Sequence, residues 1–101
     1  MVKYLIDLFC GIGGVSYGFS KNGYRVHMAV DSWDDALEVH KKHNPDTLHL
    51  LMKLGTTKAK KTIIELLPRL KRGDRLHIHA SPPCQNLSMM NIHFVAMKIR
   101  H

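Results

Sequence analysis

Val2-Lys3-Tyr4-Leu5-Ile6-Asp7-Leu8-Phe9-Cys10-Gly11-Ile12-Gly13-Gly14 decides how the chain is read. Val2, Tyr4, Leu5, Ile6, Leu8 and Phe9 make a nearly continuous apolar run, which suits a strand buried on both faces of a parallel sheet. The run enters a turn in which Gly11, Gly13 and Gly14 permit positive φ and let a ligand come close to the backbone. Val15 to Lys21 reads as a short helix stopped by Asn22-Gly23. Tyr24 to Val30 is a second strand, and it ends in Asp31. Strand, glycine turn, helix, strand and acid is the order of a nucleotide-type βαβ unit. An acid about 20 residues past the glycines is placed to accept from ribose hydroxyls. The glycines run GxGG rather than GxGxxG, which suits a ligand carrying adenosine without a pyrophosphate. A turn that only packs helix on strand, with Asp31 as a surface acid, is the competing reading.

Working outward, Ser32 is placed to cap a helix from Trp33 to His43, with Asp34 and Asp35 in its first turn and Lys41, Lys42 and His43 in its last. Trp33 offers a ring that can stack on adenine or pack in a core or an interface. Thr47 to Lys53 is apolar and ambiguous, and His49 within it reads as a core or edge histidine rather than a metal ligand. Gly55 to Arg72 reads as a basic helix capped by Thr56 or Thr57, with Pro68 kinking or ending it late. Lys58, Lys60, Lys61, Arg69, Lys71 and Arg72 form its basic face, a solvated surface first and a phosphate contact second. Arg72-Gly73-Asp74 is a turn into a third strand, Arg75 to Ala80.

That strand feeds Ser81-Pro82-Pro83-Cys84-Gln85-Asn86-Leu87-Ser88. The prolines fix their own φ and bias their predecessors away from helix, so Cys84 sits on a stiff loop. A thiol on a rigid loop after a strand is a positioned nucleophile, or else a free cysteine buried beside a turn. The tail from Met89 to His101 fits a short amphipathic helix or an edge strand.

The composition narrows the partners. A formal net charge of +7 on 101 residues suits a polyanion such as nucleic acid. Cys10 and Cys84 make no disulfide framework, and CxxC or Cys/His zinc spacing is absent, so no metal site is expected and a reduced, intracellular setting is. No run is long enough to span a membrane.

Asp7-Leu8-Phe9-Cys10-Gly11-Ile12-Gly13-Gly14 with Gly18-Phe19 resembles the first motif of the DNA (cytosine-5) methyltransferases. Val30-Asp31-Ser32-Trp33 with Ala36-Leu37-Glu38 and Asn44-Pro45 resembles the second, and Ser81 to Ser88 the fourth. The resemblance implies a Rossmann-like, S-adenosylmethionine-dependent α/β fold, with residues 1–101 as its cofactor-binding half, truncated after the cysteine motif. It implies that Phe9, Gly11, Gly13 and Gly14 hold the cofactor, that Asp31 grips its ribose, that Pro83 orients the loop and that Cys84 is the nucleophile toward cytosine in DNA. The Glu-Asn-Val and Gln-x-Arg-x-Arg motifs, the target-recognition region and the acid usual between the second and fourth motifs are not in these residues. A partner chain supplying the missing motifs, or a non-catalytic module binding cofactor or nucleic acid, therefore stands beside the enzyme reading.

Overall fold

The computed structural model describes residues 1–81. Its elements are β1 (Lys3–Leu8), α1 (Gly14–Lys21), β2 (Tyr24–Asp31), α2 (Asp34–His43), β3 (Leu48–Leu51), α3 (Thr57–Glu65) and β4 (Arg75–Ala80). The strands form one parallel sheet in the order β3-β2-β1-β4. The chain thus builds outward from β1 to β3, then crosses to the other side of β1 for β4. That reversal is the topological switch point of a Rossmann-like sheet, and ligands bind there, outside the carboxyl ends of the strands.

Alternation along β1 sorts its side chains between two layers. Ile6 and Leu8 join Met28, Val30 and Ile63 in a cluster between the sheet and α3. On the opposite face Ala29 packs with Cys10 and Leu37, under α2. Leu5, Ile6, Leu8, Met28, Ala29 and Val30 are all buried, so the paired central strands hold most of the core. Their apolar continuity follows from helices covering both faces. A register shift after Leu5 leaves His27 unpaired with β1, and the His27 ring reaches the Leu66 carbonyl at 2.8 Å.

Two helix readings need correction. Ser32 is not the cap of α2: the chain stays extended through Trp33 (φ −99°, ψ 105°), which is the N-cap and makes no side-chain capping bond. Asp31 intervenes, taking the Trp33 N–H at 3.0 Å. The basic helix ends at Glu65 rather than Arg72. Pro68 disfavours helix at Leu67 before it, and the chain leaves the helix at Leu66. Lys58, Lys60 and Lys61 therefore lie on α3, whereas Arg69, Lys71 and Arg72 lie beyond it.

The ambiguous Thr47 to Lys53 stretch contains the edge strand β3. The turn before β4 is tied by Asp74, whose carboxylate accepts from Val2 N at 2.8 Å and Lys71 N at 2.9 Å. These backbone donors hold its pKa below the usual value. Among the described residues no helix is long and apolar enough to cross a membrane.

Candidate functional site

The turn from Phe9 to Gly14 sits at the carboxyl end of β1 and is stitched to β2. Phe9 N and Cys10 N both donate to the Val30 carbonyl, at 2.8 and 3.2 Å. Phe9 adopts φ 62°, a left-handed conformation uncommon outside glycine, and its ring packs on the α3-side cluster. A bulky residue held there costs of order 1–3 kcal/mol, a strain that clusters at ligand clamps and active sites.

Asp31 organises the turn from the neighbouring strand. One carboxylate oxygen accepts from Gly11 N at 2.8 Å, the other from Trp33 N at 3.0 Å. A carboxylate has about four lone-pair sites, so capacity for two further donors remains. Trp33 is 60% exposed, so it does not pack in a core among the described residues.

The three glycines differ in what surrounds them. A Cβ on Gly11 (φ 54°) or Gly14 would meet open space, so both leave room for a ligand against the backbone. A Cβ on Gly13 (φ 112°) would lie 3.1 Å from His40 Cδ2, so that glycine is required by the packing of α2. The first turn of α1 carries no acidic residue and no side-chain cap. A shallow depression of about 380 Å³, lined by residues including Ile12, Gly14 and Tyr17, flanks the turn on one side.

Cys10 is poorly suited to nucleophilic attack. It is buried, and that burial, with Asp7 and Asp31 nearby, pushes its pKa up to about 12. Only a thiolate attacks efficiently, so Cys10 is a core residue. Cys84 and Pro83 lie outside the described residues. The last described residue, Ser81, has its hydroxyl 2.9 Å from His79 Nε2. Ala80 pairs in register with Leu8, so β4 and β1 end side by side.

Sequence reading missed a buried polar file beneath the turn. Asp7, Ser16 and His40 are each at most 1% exposed. Ser16 Oγ lies 2.7 Å from Asp7 Oδ2 and 2.9 Å from His40 Nε2, and His40 Nδ1 lies 2.7 Å from His49 Nε2. The one available signal was an acid inside an otherwise apolar strand; nothing in the pattern identified its partners. His49 is half-buried with both ring nitrogens bonded, the edge histidine that the sequence suggested.

A family profile described as C-5 cytosine-specific DNA methylase matches residues 4–93. Type II methyltransferase M.HgiGI of Herpetosiphon aurantiacus is 34% identical over 82% of this chain and 60% of its own length. M.HindV of Haemophilus influenzae is 30% identical over 82% of this chain and 25% of its own. Mouse DNA (cytosine-5)-methyltransferase 1 is 32% identical over 85% of this chain and 6% of its own. A solved structure from a prophage of E. coli, assigned as a DNA modification methyltransferase, superposes with a TM-score of 0.64 at 29% identity, covering 93% of this chain and 27% of that one. The chain spans less than two thirds of each of these relatives.

Proposed function

Because the chain belongs to the C-5 cytosine-specific DNA methylase family, we propose that residues 1–101 are the cofactor-binding and nucleophile-bearing half of an enzyme that methylates C5 of cytosine in DNA. The observation that carries this is the Leu8–Ala80 pairing, which brings the glycine turn and the start of the Cys84 loop to one edge of the sheet. Cys84 lies three residues past Ser81, a span of at most about 10 Å, which supports reading Cys84 as near that edge.

The residues present fit S-adenosylmethionine. Gly11 and Gly14 leave space against the backbone, Asp31 keeps acceptor capacity for ribose hydroxyls, and Trp33 offers a face for adenine. When bound there, the cofactor supplies an electrophilic methyl group. Phe9 and Gly13 shape the seat, the first by its left-handed backbone and the second by letting α2 close under it.

Cytosine C6 is a weak electrophile, so the attacking group must be a thiolate, and the Pro-Pro-Cys motif makes Cys84 the candidate. Its addition to C6 would make C5 nucleophilic, and the methyl donor would be left as a neutral thioether. Loss of the C5 proton to a base from outside these residues, with β-elimination of the thiolate, would restore the ring and free Cys84. A base inside a duplex cannot reach such a loop, so the cytosine leaves the stack. Groups that hold the ring and read the DNA come, in this reading, from outside these residues or from a partner chain.

Calorimetry with S-adenosylmethionine, and DNA carrying 5-fluorocytosine, test the proposal. We expect cofactor binding, weakened in Asp31→Ala, and, with the ring-holding and DNA-reading groups supplied by a longer chain or a partner, a denaturant-stable DNA adduct that survives Cys10→Ala and is lost in Cys84→Ala. An adduct that persists in Cys84→Ala overturns the nucleophile assignment, and no cofactor binding overturns the seat. Cofactor binding without any adduct, when the missing groups are supplied, favours the second reading, a cofactor-binding module.

A further inference from the structure

The file beneath the glycine turn has a direction that its geometry fixes. It runs Asp7 Oδ2, Ser16 Oγ, His40 and His49, with steps of 2.7, 2.9 and 2.7 Å, and ends at the Thr47 carbonyl, 2.8 Å from His49 Nδ1. A carbonyl only accepts, so His49 Nδ1 carries a hydrogen. If His49 is neutral, its Nε2 accepts, and His40 Nδ1 must donate to it. If His40 is neutral as well, its Nε2 accepts from the Ser16 hydroxyl. Ser16 has then spent its one proton, and the 2.7 Å contact with Asp7 is a bond only if the carboxyl donates.

The opposite polarity needs an imidazolium. With Asp7 ionised and both histidines neutral, one link in the file sets two acceptors against each other at under 3 Å. Asn44 does not change this, because its amide donates to the His40 carbonyl at 3.0 Å and stands 3.5 Å from the ring nitrogen.

Burial favours the neutral file at each member. It raises the Asp7 pKa against the opposing Ser16 bond, lowers that of His40 to about 4 and lowers that of His49. Asp7 Oδ1 has no partner among the described residues, a far smaller cost for a neutral acid than for a carboxylate. Asp31 of β2 and His79 of β4 face Asp7, the first opposing ionisation and the second favouring it. His43 and Lys41 of α2 face the histidines and discourage a further positive charge.

We propose that Asp7, Ser16, His40 and His49 act as one positioning unit for the glycine turn, a file of hydrogen bonds all pointing from a protonated Asp7 toward Thr47. What would transmit it is the closeness of His40 to Gly13, where an added Cβ would lie 3.1 Å from His40 Cδ2. Deprotonating Asp7 breaks one link, frees the His40 ring to rotate, and loosens the turn above it. The functional weight of this unit rests on the turn being the cofactor seat proposed above.

Long-range nitrogen–proton NMR of the histidines and carboxyl carbon shifts of Asp7, on the full chain without cofactor, test it. At neutral pH we expect both His40 and His49 as Nδ1–H tautomers. We also expect the Gly13 amide to shift with the midpoint of the Asp7 carboxyl. Asp7→Asn, whose amide donates as the protonated acid does, keeps both tautomers and removes that midpoint. A His40 Nε2–H tautomer or an imidazolium His49 at neutral pH in the wild-type chain overturns the proposal, whether or not the variant folds. These spectra do not depend on cofactor binding, so failure of the proposed function and failure of this inference are read separately.

Discussion

At the scale of single residues, the adjacent glycines Gly13 and Gly14 answer differently to the same change. Gly13→Ala forces a side chain onto a positive φ and into His40, and costs more than about 1 kcal/mol by urea titration. Gly14→Ala meets open space at the first position of α1, where alanine is the better helix former, so stability holds within about 0.5 kcal/mol or rises. Its methyl projects where the ligand is proposed to lie, so calorimetry shows weaker S-adenosylmethionine binding without lost stability. The glycine spacing and Asp31 were legible because their meaning is local: a turn that needs positive φ, and an acid at a strand end. Asp7, Ser16 and His40 were not. They meet across separations of 9 and 24 residues, and no periodicity records such a contact.

Among the elements, strands and short helices followed the hydrophobic pattern closely, and the helix boundaries did not. Thr56 caps α3 by accepting from Ala59 N at 3.1 Å, so Thr56→Ala costs about 1 kcal/mol of stability by urea titration. Ser32→Ala changes stability by less than about 0.5 kcal/mol, because the residue that looked like a cap makes no capping bond in α2. In both helices a nearby competitor set the boundary: the Asp31 carboxylate two residues upstream of Trp33, and Pro68 two residues downstream of Leu66. Such competition is visible in sequence only once the φ of each neighbour is weighed, and the apolar stripe of Leu66, Leu67 and Leu70 argued the other way.

For the molecule as a whole, pH tests the buried groups with opposite signs. The His40 pKa is lowered from 6.5 to about 4, so its contribution is complete above pH 6.5 and is lost as pH falls toward 4. Asp7 has a raised pKa, so its contribution is complete below pH 3.8 and is lost as pH rises through its folded value. The two oppose one another across the acid range. Urea midpoints of Asp7→Asn therefore fall more steeply than those of the wild-type chain between pH 6.5 and 4.

The sheet order carries a consequence for how the chain comes to be folded at all. Val2, just before β1, is bonded to Asp74, 72 residues later. A ribosome releases the apolar Leu5, Ile6 and Leu8 long before β4 exists to close over that flank. Until Arg75 emerges, the nascent chain carries a naked hydrophobic ladder beside β1, the period in which chaperones have most to shield.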